Sequence, residues 1–203
     1  MMIKSLNSLK YYLECDRIAL ERKGNIVPFY DIIWRFQRLL RFTEYLNNIS
    51  QSQNYFIRVI GKYFKLKLKL FGEKYGFSIP LNVFGPGLAI IHIGPVIVNK
   101  HAKIGNNCRI HVGVNIGASG GIKDAAPIIG DNVYIGPGAK IFGKIQIADN
   151  IVIGANAVVN RDVKTKGITI AGVPSRKISD QDSSKVLIKA TEIVSNYKKN
   201  DQI

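Results

Sequence analysis

Between about Val98 and Val173 one kind of side chain returns every six residues. Val98, Ile104, Ile110 and Ile116 keep the step, and after a break Ile129, Ile135, Ile141, Ile147, Ile153 and Val159 take it up again. All are β-branched and favour extended backbone. Glycine follows five of these rungs, at Gly105, Gly117, Gly130, Gly136 and Gly154, where the chain can turn a tight corner. A period of six fits neither the 3.6 of a helix nor the 2 of a lone strand. It predicts a parallel β-helix: a three-sided prism with six residues per side, each rung pointing into a narrow core and stacking on the next coil.

The pattern before the ladder is helical. Ile32, Ile33, Phe36, Leu39, Leu40 and Thr43 recur at three- and four-residue steps, with Arg35, Arg38 and Arg41 mostly on another face and Pro28 ahead of them. A second helix is expected from Tyr55 to Phe71, although Lys65-Leu66-Lys67-Leu68-Lys69-Leu70 alternates as a strand would. Two readings fit this basic, aromatic segment. It caps the prism and makes subunit contacts, or it attaches to a membrane surface.

Gly72 to Pro95 is dense in glycine and proline and reads as an irregular first coil. It holds His92. Stepping back six from Val98 lands on this histidine, but a dry apolar core is a costly place for an imidazole. The phase is therefore expected to slip at Gly94-Pro95 and turn His92 outward into a groove. Between Ile116 and Ile129 a Gly/Ala/Ser-rich insertion interrupts the ladder, and such loops tend to mark a solenoid's working face. After Ser179, apolar residues at Val186, Leu187, Ala190, Ile193 and Val194 predict a terminal helix over the open end of the prism. The expected organisation is a helical part at 1–75, the β-helix at 76–178 and a helix with tail at 179–203.

Composition alters this picture in one respect. Twenty-nine Lys and Arg against 14 Asp and Glu give a net charge of +15. That excess favours anionic partners such as phosphates, acidic glycans or lipid headgroups. No helix-turn-helix, zinc-finger spacing or aromatic-basic ribonucleoprotein motif accompanies it, so nucleic acid is not expected. Cys15 and Cys108 suggest buried small hydrophobes rather than a disulfide framework. The first 22 residues mix charge and aromatics too early for a secretory signal, and no apolar run reaches 18, so a cytoplasmic location is expected. His111 follows His92 by one coil and reads either as a substrate contact in the same groove or as a solvated residue. His101, beside Lys100 and Lys103, reads as surface. The spacing of the three does not match the zinc site of β-helical carbonic anhydrases, and no metal is expected.

The ladder, Gly87-Leu88-Ala89-Ile90-Ile91-His92-Ile93-Gly94, Ala125-Ala126-Pro127 and Ala171-Gly172-Val173-Pro174 together resemble the serine acetyltransferase branch of the left-handed β-helix acyltransferases. The resemblance covers roughly residues 76–178 and implies left-handed coils, contrary to the usual right-handed crossover. It also implies homotrimers with active sites between prisms, and acetyl transfer from acetyl-coenzyme A to a hydroxyl. His92 matches the general base, since an imidazole can take the hydroxyl proton near neutral pH. Backbone N–H groups of the loop from Gly117 to Gly121 would hold the oxyanion. The resemblance further places Ser119 and Asp124 with His111 around the acceptor. Ala118, Gly120, Pro137, Gly138, Ala139, Ala171, Gly172, Arg176 and Lys177 would contact the coenzyme.

The chain departs from that branch at three places. Positions that carry an Asp before the histidine, an Arg-His pair before the loop proline and a base-orienting Asp read Ile91, Ala125-Ala126 and Ser78. A zwitterionic acceptor needs charged partners, so these losses predict a sugar hydroxyl of a bacterial capsular or other surface polysaccharide, or its precursor. The segment from Ile33 to Arg41 also resembles that of acetyltransferases from capsule loci. Serine O-acetylation and a catalytically idle binding module are the alternatives.

Overall fold

The computed structural model describes residues 2–24, 28–49, 55–120, 122 and 124–200, the last three by their backbone alone. Three helices come first: α1 (Leu6–Ala19), α2 (Ile32–Ile49) and α3 (Tyr55–Tyr75). Ser5 and Ser8 exchange side-chain and backbone bonds to cap α1, and Asp31 Oδ1 accepts from Trp34 N, 3.0 Å, in the first turn of α2. The periodicity had not singled out α1. The Lys-Leu alternation is wholly helical, and only its middle leucine, Leu68, is buried. Residues 66, 68 and 70 stand about 200° apart in turn on a helix, so they cannot share one face.

The strands that follow are β1 (Phe77–Ser78), β2 (Ala89–Ile90), β3 (Val96–Val98), β4 (Lys103–Ile104), β5 (Arg109–Ile110), β6 (Asn115–Gly117) and β7 (Ile128–Ile129). Next come β8 (Tyr134–Ile135), β9 (Lys140–Phe142), β10 (Gln146–Ile147), β11 (Val152–Ile153), β12 (Val158–Val159), β13 (Thr169–Ala171) and β14 (Arg176–Ser179). They form three parallel faces. The first is β1-β3-β6-β9-β12, the second is β4-β7-β10, and the third is β2-β5-β8-β11-β13 with β14 added antiparallel. The rungs pair in register: Ile104 with Ile129, Ile110 with Ile135, and Val98 with Ile116 and then Ile141. Ile110, Ile116, Ile135, Ile141, Ile153 and Val159 are fully buried in one continuous core. Each burial is favourable by about 2 kcal/mol, which is how so narrow a prism is held together.

The phase slips where expected. Ile90 pairs with Ile110 and Val98 with Ile116, so the first coil carries two extra residues between its rungs, and His92 lies exposed in that excess. The end of the chain differs from expectation. From Arg176 the chain runs as β14, then a 3-10 turn at Ser183–Lys185, and α4 begins only at Ala190 and runs to Asn200. It packs along α1, and Thr191 exchanges hydrogen bonds with Asn107 at 2.8 and 3.1 Å, so it lies beside the early coils and not over the far end.

Helices α1 and α2 close the first end of the prism with a buried polar network. Arg41 reaches Asp16 (2.7 Å), Glu44 (3.0 Å) and the carbonyls of Phe84 and Gly85 (3.0 and 2.7 Å). Asp16 accepts from Gly87 N and Leu88 N, both at 2.8 Å. Burial raises the Asp16 carboxyl against the opposing pull of Arg41. Gln37 accepts from Ile90 N (2.9 Å) and donates to Leu88 O (2.7 Å), giving β2 the partners a preceding coil would have supplied.

Candidate active site

The three edges of the prism carry different residues. The edge joining the third face to the first holds His92 and Gly94 in the first coil and His111 and Gly113 in the second. Pro137 and Gly138, then Asn156, and finally Gly172 continue it. Backbone bonds run down this edge: Gly113 N to Pro95 O (2.6 Å), Gly138 N to Val112 O (2.9 Å) and Asn156 N to Pro137 O (2.8 Å). The coils crowd closely here, and a Cβ on Gly94 (φ +136°) would run into Val112. The imidazoles of His92 and His111 lie 5.7 Å apart, and the Tyr134 ring stacks 5.0 Å beyond His111. Burial, with Arg109 and His92 nearby, holds the His111 imidazole below its ordinary value of 6.5. Its Nε2 has no hydrogen-bond partner among the described residues. A shallow cleft of about 430 Å³ lined by Glu21, Arg109, His111, Tyr134 and Lys185 opens beside it.

The expected site residues divide between two edges. His92, His111, Pro137, Gly138, Ala171 and Gly172 share the one just described, and Pro137 and Gly172 are exposed along it. Arg176 pairs with Ala171 and Lys177 with Ile170, so both cations come alongside its far end. Ala139 is an exception. Its side chain is fully buried, because position 139 has already turned inward ahead of β9, and it offers a ligand nothing but backbone.

Ala118, Ser119, Gly120 and Asp124 belong to the loop at the next edge, between the first and second faces. Ser119 N donates to Ala125 O (3.2 Å) across the loop's neck, and Asp124 Oδ1 meets His101 Nε2 at 2.9 Å. His101 is exposed, as expected for a surface residue, and contacts the loop. The width of the first face separates this loop from His92 within one chain. The expected oxyanion loop spans Gly117 to Gly121, and Gly121 lies outside the described residues. Among the described residues no group of three His, Cys, Asp or Glu side chains is placed to hold a metal ion.

Sequence reasoning missed Tyr134, which the coil register sets opposite Arg109 on the third face. A step of one coil from Arg109, allowing for the inserted loop, would have found it. Both cysteines are free and buried, and burial pushes the Cys15 thiol up to about 12 and raises Cys108 as well, so neither serves as a nucleophile.

Residues 126–161 match the model of the bacterial transferase hexapeptide family, six repeats. The matched residues span the coils from β7 to β12. A serine acetyltransferase of Synechococcus elongatus is 40% identical over 95 residues, 46% of this chain and 38% of that protein. The chain spans about half the length, or less, of such curated relatives. Among solved structures, the Neisseria gonorrhoeae serine acetyltransferase in complex with serine superposes with a TM-score of 0.66 at 27% identity, covering 86% of this chain and 71% of that one. A serine acetyltransferase in complex with CoA superposes at 0.64 and 26%, covering 85% and 71%. The hexapeptide coils thus form a left-handed β-helix.

These relatives overturn the expectation of a polysaccharide acceptor. That reading rested on Ile91, Ala125 and Ala126 lacking charge. Ala125 and Ala126 are buried at the neck of the loop, so their side chains do not report on what a ligand meets at the surface. Charge stands close by instead, on Asp124 of the loop edge and on Arg109 beside His111.

Proposed function

We propose that this chain transfers the acetyl group of acetyl-coenzyme A to the hydroxyl of serine, with His92 as general base. The observation that carries the reading is the single edge on which the hexapeptide coils align the exposed His92, the half-buried His111 and the small residues Pro137, Gly138 and Gly172. The relatives' named activity supports the acceptor, and a neighbour's complex with CoA supports the coenzyme.

The chemistry follows from placement. The coenzyme lies along the edge with its anionic end toward Arg176 and Lys177. About four coil spacings of ~4.8 Å, roughly 19 Å, bring its thioester to His92. His92 removes the hydroxyl proton as the oxygen attacks the thioester carbon. The tetrahedral intermediate then collapses, expelling the thiolate, which takes up a proton to leave as the thiol. His111, neutral because its pKa is depressed, adds no positive charge beside the base.

Loop residues Ala118, Ser119, Gly120 and Asp124 complete the site from a neighbouring prism in a homotrimer. This assembly accounts for their distance from His92 in one chain. The backbone N–H groups of the loop then face the oxyanion, and Asp124, exposed on the loop, is the group to hold the acceptor's ammonium.

The test is thiol release from acetyl-coenzyme A by the purified protein with L-serine or with capsule oligosaccharides, and with His92→Ala in parallel. Serine-dependent release that the variant loses is the expected result. Release that is indifferent to serine, or equal in the variant, would overturn the proposal.

A further inference from the structure

Helix α3 has a face that neither the prism nor the other helices cover. It packs on α2 and β1, with Leu68 and Gly72 buried at the contact. On the far side Tyr55, Val59, Tyr63, Leu66 and Leu70 are 71%, 47%, 58%, 56% and 56% exposed. At about 100° per residue these five occupy an arc of roughly 80°. Arg58, Lys62, Lys65 and Lys69 fill the next arc of roughly 60°, and Lys67 and Lys74 border the other side. The helix carries one carboxylate, Glu73, paired with Lys69 at 3.7 Å.

From this geometry we propose that the outer face of α3 docks on an anionic lipid surface. An apolar strip with cations along both borders matches such an interface. The tyrosines and aliphatics enter the headgroup boundary while the lysine stems lie along it and their ammonium groups meet phosphate. No helix among the described residues is long and apolar enough to cross a membrane, so the contact is parallel to the surface. A second copy of the chain fits the face poorly. Two such helices would bring like-charged borders together, in a protein whose net charge is +15. The inference does not depend on the acceptor proposed above.

The experiment is flotation of the full chain with vesicles of equal amounts of phosphatidylcholine and phosphatidylglycerol, and with phosphatidylcholine alone, at low and high salt. Binding is expected only to the mixed vesicles, and it should weaken as salt screens the charges. Lys62→Gln with Lys65→Gln should lower the partition at least about tenfold. Val59→Ser with Leu66→Ser should also lower it, while both variants keep the parent's circular dichroism and thiol release. Equal partition into neutral vesicles, or no partition into either, would overturn the proposal. So would a Val59/Leu66 variant that loses self-association in sedimentation while binding vesicles as before, because the face would then belong to another copy.

Discussion

Two edges of the same prism are built on opposite plans. Where the second face turns into the third, three successive coils place an asparagine in the left-handed region: Asn107, Asn132 and Asn150, with φ of 55°, 57° and 60°. Their amides hydrogen bond coil to coil, Asn107 to Asn132 at 2.8 Å and Asn132 to Asn150 at 2.9 Å. Asp131 takes Asn106 N (2.7 Å), and Asp149 takes Asp131 N (3.0 Å) beside them. The opposite plan holds on the edge of His92 and His111, where glycines keep the corner close and the polar side chains are left without such a ladder. One edge uses its polar groups to hold coils together, and the other has no such ladder. Under the function proposed above, stability and chemistry fall to different corners of one repeat.

The contrast can be broken from either side. The largest effect is expected from His92→Ala, which should cut acetyl transfer by about 10²- to 10⁴-fold, the range for losing a general base, with an unchanged urea midpoint. On the other edge Asn132→Val removes the amide from the middle of its ladder and forces a β-branched residue into positive φ. Chemical denaturation should register a loss of about 3 kcal/mol.

Gly138→Ala probes the crowding that the two edges share. Its Cβ would press on the Asn156 side chain at φ +74°, and a thermal melt should show a cost of about 1–3 kcal/mol. The smallest effect concerns His111. Its depressed pKa means the folded chain holds that proton less tightly than the unfolded chain does. Its contribution is therefore complete above pH 6.5, the ordinary value, and is lost as pH falls through the folded value. His111→Leu should flatten the acid side of a stability-against-pH curve. A proton titration of His111 by NMR that midpoints at or above 6.5 would refute this.

How much of this was legible beforehand depended on which side chains carry the repeat. The rungs could be read because an inward position in a narrow prism admits little besides a β-branched aliphatic, so the period survives in the letters. His92 could be placed because its expected cost in the core predicted the slip that the structure contains. The asparagine ladder was present as Asn106-Asn107, Asp131-Asn132 and Asp149-Asn150, but polar corner residues leave no hydrophobic period and went unread. The separation of Asp124 from His92 was equally hidden, because sequence distance does not say which edge an inserted loop leaves. Leu66, Leu68 and Leu70 alternated with lysine as in a strand, and only packing of the helix decided which of the three was buried.

Gln37 and Arg41 bear on how this molecule stops. An open β-helix end is a row of unpaired amides and carbonyls, and a like coil from another molecule would fit it as well as the chain's own. By occupying Leu88 O and Ile90 N, Gln37 removes the template for that addition, and Arg41 does the same at Phe84 and Gly85. The helical segment is in this sense a stop signal against end-to-end polymerisation, keeping a fold suited to fibres as a discrete particle.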